Sequence, residues 1–202
     1  MKDKLKIGIT GGIGAGKSSV SKFLEVLGYP VYNADERAKE LVVEDSEVKA
    51  AIINLLGEQA YLEDGRYNRQ WVGQQVFADD QLLKSLNHIV HPAVAKDFQK
   101  WSGRQSSRLI FKEAAIMLEH GKDLVGVDYI VAVVAPEQER IQRIRKRDTF
   151  RSEAQIHQII RNQIPEKDLK SKADFLIDNA DHSAVIPQVN SLLHSLIRII
   201  QA

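Results

Sequence analysis

Gly11-Gly12-Ile13-Gly14-Ala15-Gly16-Lys17-Ser18 is the stretch on which the reading of this 202-residue chain turns. A short β-prone run, Leu5–Thr10, precedes it. Ser18–Leu27 follows, with Val20, Phe23, Leu24 and Leu27 at helical spacing. The stretch matches G-x-x-x-x-G-K-[ST] in its proper strand–loop–helix setting, the P-loop pattern. Each residue type has a physical reason. The loop must curl around a phosphate with its backbone N–H groups turned inward, and glycines permit the dihedrals and the close approach. The helix that follows offers an anion its free N–H groups and the positive end of its dipole. The candidate nucleotide-binding residues are therefore Gly12, Ile13, Gly14, Ala15, Gly16, Lys17, Ser18 and Ser19. Lys17 can bridge the β- and γ-phosphates, and the Ser18 hydroxyl can join the shell of a Mg²⁺ ion.

The motif by itself implies a nucleoside triphosphate bound with Mg²⁺. It does not separate kinase, GTPase and motor ATPase. No Asn-Lys-x-Asp guanine-reading motif occurs. The third apolar strand candidate, Arg108–Phe111, runs into Lys112-Glu113 and not into a terminal Asp. A short chain with a helical insert and a basic helix fits a small-metabolite or nucleotide kinase better than a motor.

Around the motif, strand-like and helix-like stretches alternate. Pro30–Asn33, Arg108–Phe111, Tyr129–Val134 and Phe175–Ile177 join Leu5–Thr10 as candidate strands. Five short strands separated by helical stretches predict an α/β fold with a five-stranded parallel sheet. Between the second and third strands the pattern is helical throughout, from Ser46–Leu56 to Asn68–Trp101. His91-Pro92 reads there as a helix start, with proline at the first helical position. A second, strongly charged helical stretch covers Pro136 to Gln163, and Leu192–Ile200 reads as a final amphipathic helix.

The composition agrees. The chain is 44% hydrophobic and 27% charged, which excludes collagen, coiled coil and wholesale disorder. Twenty-eight Lys and Arg against 27 Asp and Glu argue against a nucleic-acid coat or a polybasic membrane anchor. There is no cysteine, hence no disulfide framework, thiolate metal site or Cys nucleophile. The opening residues lack the long apolar run of a secretory signal, so the expected location is the cytoplasm. The oligomeric state is left open.

Carboxyl ends of parallel strands gather ligand chemistry. The second strand ends in Tyr32-Asn33-Ala34-Asp35. Asp35 has two readings: a group that orients an acceptor hydroxyl and takes its proton, or the N-cap of the helix that follows. Glu113 likewise reads as a helix cap or as an outer partner of the Mg²⁺ ion. In the stretch from Arg140 to Arg151, Arg143 and Arg147 lie one helical turn apart and can present guanidinium forks to phosphates. Arg140, Arg145 and Lys146 are assigned to a solvated face.

Taken in order, these residues resemble the dephospho-coenzyme A kinase family. Thr10–Ser18 with Asn33-Ala34-Asp35 is similar to its phosphate loop and Asp-Ala-Asp step. Asn68-Arg69, His91-Pro92, Glu113–Glu119, Arg143–Asp148, Gln163 and Ala173–Asn179 follow in family order and cover nearly the whole chain. The resemblance implies transfer of the ATP γ-phosphate to the ribose 3′-hydroxyl of dephospho-coenzyme A, with Mg²⁺. It implies a three-layer P-loop kinase core over 1–57, 105–135 and 166–202, a helical acceptor-binding insert over 58–104 and a short helical lid over 136–165. It also implies Asp35, Lys17 and Arg143 as catalytic residues, Arg147 and Asn179 at the nucleotide, and Arg69 and His91 with Asp35 at the acceptor. Asn33 stands where the family has its first Asp, and Ala115 and Met117 depart from its Pro-Leu-Leu stretch. The remaining alternatives are another small-molecule or nucleoside kinase, and a regulatory nucleotide-binding module.

Overall fold

The structure, a computed structural model, describes residues 4–115, 117–118 and 125–201. The chain packs as two compact units. One combines the residues up to Asn33 with those from Arg104 onward, and the other is Ala34–Gly103.

The first unit holds the sheet. Its strands are β1 (Leu5–Thr10), β2 (Val31–Asn33), β3 (Leu109–Glu113), β4 (Tyr129–Val134) and β5 (Phe175–Asp178), and every pairing is parallel, in the order β2-β3-β1-β4-β5. The predicted five-stranded parallel α/β fold is what the chain adopts. Helix α1 (Lys17–Val26) follows β1. Leu5, Ile7, Ile9, Leu109, Phe111, Val131 and Val133 pack on one face of the sheet with residues of α1 and of the C-terminal helix. Phe111 is fully buried and meets the Tyr29 ring edge-on at 5.8 Å, so its truncation to alanine would cost about 3–5 kcal/mol. The C-terminal helix spans Val185–Gln201, seven residues longer at its start than the apolar pattern alone indicates. Val189, Leu192, Leu193, Leu196 and Ile200 form its buried stripe.

β3 runs two residues past its expected end. Charges mark a strand end because they are seldom buried unless partnered. Here both are partnered: Lys112 donates to the Val125 carbonyl at 2.9 Å, and Glu113 accepts from Ser18 at 2.9 Å. The charged stretch after β4 forms two helices, α6 (Glu137–Arg147) and α7 (Glu153–Arg161), and a third, α8 (Glu166–Lys172), follows it. Ser152 and Gln155 close a capping box that separates α6 from α7.

The second unit is helical. It contains α2 (Ala34–Glu44), α3 (Ser46–Leu56), α4 (Arg69–Ala78) and most of α5 (Asp80–Arg104). Val42, Val48, Ile52, Ala60, Tyr61, Val72 and Leu86 form its core. The Tyr61 hydroxyl donates to the Val42 carbonyl at 2.7 Å, and the Arg37 guanidinium forks onto Asp97 at 3.1 and 3.2 Å, tying α2 to α5. Two local expectations change. The helix after β2 begins at Ala34, so Asp35 lies inside its first turn and is not its N-cap. His91-Pro92 does not start a helix; α5 runs through it, because the packing of Leu86, Val94 and Phe98 holds the helix across the one N–H that proline lacks.

Candidate active site

The loop after β1 carries no side-chain cap on the helix it opens, and the first turn of α1 contains no acid. The start of α1 therefore turns the positive end of its dipole, offset by no acid of its own first turn, toward whatever the loop holds. Gly14 and Gly16 adopt positive φ of 77° and 95°. A Cβ at Gly14 would lie 2.7 Å from the Arg140 carbonyl oxygen, and one at Gly16 would run into the Asn179 amide nitrogen. These glycines are needed both for dihedral angle and for close approach. Lys17 Nζ donates to the Gly11 carbonyl at 2.9 Å, which lays its ammonium along the loop.

Ser18 Oγ donates to Glu113 Oε1 at 2.9 Å. Glu113 is buried and pairs in register with Ile9 on one side and Asn33 on the other. Its role as a helix cap therefore falls away, and the carboxylate stands at the carboxyl end of the strand beside β1. A strand order of β2-β3-β1 is the signal that would have singled it out, and that order is not written locally. A hydroxyl and a carboxylate are hard oxygen donors of the kind Mg²⁺ takes, the rest of its shell coming from phosphates and water.

The arginines of α6 divide three ways. Arg143 Nη2 donates to the Asn179 carbonyl at 2.8 Å, to Glu139 at 3.2 Å and to Asp181 at 2.5 Å. The Arg143 guanidinium holds the Asp181 carboxyl below the usual carboxylate range. Arg147, one turn further, is exposed and forks onto Asp148, whose carboxyl it likewise holds down. Arg140, assigned by the charge pattern to a solvated face, is buried with only 8% of its surface exposed. It donates to the Ile13 carbonyl at 2.9 Å. The reason is position: residue 140 lies one turn from Ile144, the fully buried anchor of α6, on the face turned to the loop.

Asn179 stands just beyond β5. Its amide donates to the Ala15 carbonyl at 2.8 Å, and its backbone N–H donates to Val134. Asp178 holds this turn by accepting from Ser183 at 2.7 Å and from the Ala180 N–H at 3.0 Å, bonds that lower its carboxyl's pKa. Asn179 thus joins the phosphate loop to Arg143.

Comparison with known proteins decides what this arrangement belongs to. Residues 5–184 match the family model described as dephospho-CoA kinase. The chain is 38% identical over 190 residues to a dephospho-CoA kinase of Bacteroides fragilis, covering 94% of this chain and 91% of that one. This chain belongs to the dephospho-CoA kinase family. A Thermus thermophilus crystal structure superposes with a TM-score of 0.81 at 28% identity, over 98% of each chain. The dephospho-CoA kinase of Campylobacter jejuni shares the fold, with a TM-score of 0.65 at 21% identity and 97% of each chain covered. As a member of the dephospho-CoA kinase family the chain is an enzyme, a phosphotransferase.

In this dephospho-CoA kinase family member, the residues that the sequence assigned to the acceptor all lie in the helical unit. Asp35 is exposed in the first turn of α2. Arg69 is the exposed first residue of α4, whose N-cap is Asn68 through a 3.3 Å bond from the Trp71 N–H. His91 is exposed at the middle of α5. Ser19 is exposed on α1 beside Ser18. Among the described residues no cluster of three or more His, Asp or Glu is placed to hold a metal, and no helix is long and apolar enough to cross a membrane.

Proposed function

We propose that this chain transfers the γ-phosphoryl group of ATP to the ribose 3′-hydroxyl of dephospho-coenzyme A, giving coenzyme A and ADP, the last step of coenzyme A biosynthesis. The phosphate loop with its uncapped helix start, on a chain of this family, is the observation that carries the reading. The loop Gly12 to Ser19 cradles the donor phosphates, and Lys17 swings from the Gly11 carbonyl to the transferring group, where it offsets charge that grows in the transition state. Ser18, oriented by Glu113, would hold a Mg²⁺ ion, which when bound would supply positive charge against the donor phosphates. Arg143, Arg147 and Asn179 serve the nucleotide. Asp35 accepts a hydrogen bond from the acceptor hydroxyl, orients it and takes its proton as the phosphoryl group leaves ATP. Arg69 and His91 bind the acceptor. In this reading residues 58–104 form the acceptor insert and 136–165 the lid of one kinase domain, working in the cytoplasm on small molecules, with no nucleic-acid or membrane partner.

An assay of ADP release with Mg-ATP and a panel of acceptors tests it. Turnover confined to dephospho-coenzyme A is expected. Turnover with a different acceptor alone would make the chain another small-molecule kinase, and tight ATP binding without turnover on any acceptor would make it a regulatory module.

A further inference from the structure

The peptide of Ile13, in the middle of the phosphate loop, is gripped on both sides by side chains from far along the chain. Its N–H donates to Gln163 Oε1 at 2.9 Å, and its carbonyl accepts from Arg140 Nε at 2.9 Å. Arg140 Nη2 closes the ring by donating to the same Gln163 oxygen at 3.1 Å. The fit is close. A Cβ at Gly12 would run into the Arg140 guanidinium, and one at Gly14 would sit 2.7 Å from the Arg140 carbonyl.

Two consequences follow. The Ile13 N–H points to Gln163, so it is spent outside the cradle, and the loop's inward donors are the amides around it. The Arg140 charge is buried, while Glu166 and Glu137 act on it only through space. A buried guanidinium keeps its charge. It therefore adds to the positive potential that a polyphosphate meets in the loop.

We propose that Arg140, together with Gln163, is a positioning residue of the phosphate loop: the pair clamps the Ile13 peptide and so sets the Gly12–Gly14 turn in its phosphate-binding shape. The proposal rests on the kinase reading above only for its acceptor controls. The Arg140 bond also roots the start of α6 on the loop.

The test is equilibrium titration of the full chain with a fluorescent ATP analogue and Mg²⁺, alongside melting curves and steady-state KM values for both substrates. Arg140→Gln should weaken nucleotide binding about tenfold, the size expected for lost charge-assisted bonds. Arg140→Lys should weaken it too, because one ammonium cannot span both oxygens in the fork geometry. Arg140→Gln combined with Gln163→Ala should be no worse than the weaker-binding single variant by more than about twofold, since both act through one peptide. KM for dephospho-coenzyme A should stay near wild type. If Arg140→Gln does not fold, Arg140→Lys and Gln163→Ala carry the test. Folded variants that bind nucleotide as well as wild type would overturn the proposal, as would effects of the two substitutions that multiply. A wild-type chain that binds ATP but does not turn over dephospho-coenzyme A would sink the acceptor reading and leave this titration valid.

Discussion

Ser18 and Glu113 stand 95 residues apart in sequence and are joined by a 2.9 Å hydrogen bond between the serine hydroxyl and the buried carboxylate. The bond fixes the rotamer of the one P-loop side chain suited to a metal. Glu113→Gln keeps the acceptor oxygen but removes the charge. The Mg²⁺ concentration for half-maximal rate should rise about tenfold, with the melting temperature little changed, because a charged partner is worth more than a neutral one. A Mg²⁺ titration at fixed ATP reads this, and an unchanged dependence would reduce Glu113 to a packing role.

Asp35→Asn should lower kcat by about 10²–10⁴, the usual reach of general acid–base catalysis. The side chain is exposed in the first turn of α2, so the fold should be untouched. ATP affinity measured by titration should match wild type. Equal loss of ATP binding and turnover would make Asp35 structural.

Gly16→Ala meets two penalties at once, a φ of 95° and the Asn179 amide in the space of the new Cβ. Non-glycine residues held in sparsely populated dihedral regions cost about 1–3 kcal/mol. Nucleotide affinity should fall by more than about tenfold, since the loop must shift to make room. Gly73→Ala in α4 is the control: nothing lies within 4 Å of its Cβ, and its helical site should gain about 0.5–1 kcal/mol. Thermal melts of both variants check the contrast.

Lys112 gives a pH dependence with a definite sign. Burial, with help from the Lys6 charge, pushes its ammonium down from 10.5 to about 8. Between these values the unfolded chain holds more protons than the folded one, so stability contributed by this site rises with pH from about 8 to 10.5. Relative to a Lys112→Met variant, the wild type should gain on the order of 3 kcal/mol at most across that window. Denaturation of both at about pH 7.5 and about pH 11, roughly 0.5 unit outside each end of the window, measures it. A constant difference between the two proteins would refute the shift.

The phosphate loop, the five parallel strands and the amphipathic C-terminal helix were legible from residue order, because each depends on neighbours within one or two turns of chain. β3 was legible in its apolar half and lost in Lys112-Glu113, where partners from Val125 and Ser18 reverse the usual meaning of charge. Arg140 was misread for a similar reason. On a charged helix it looks solvated, and only the packing of α6 against the loop buries it.

Sequence alone determined that this chain builds a phosphate cradle, since a run of eight residues carries its own dihedral freedom and donors. The tertiary structure decided what holds that cradle in shape. The sheet order β2-β3-β1-β4-β5 brings Glu113, Arg140, Gln163 and Asn179 to a single loop. Hydrogen bonds act over about 3 Å, and only the crossovers of a parallel sheet bring groups 95 to 164 residues apart within that reach.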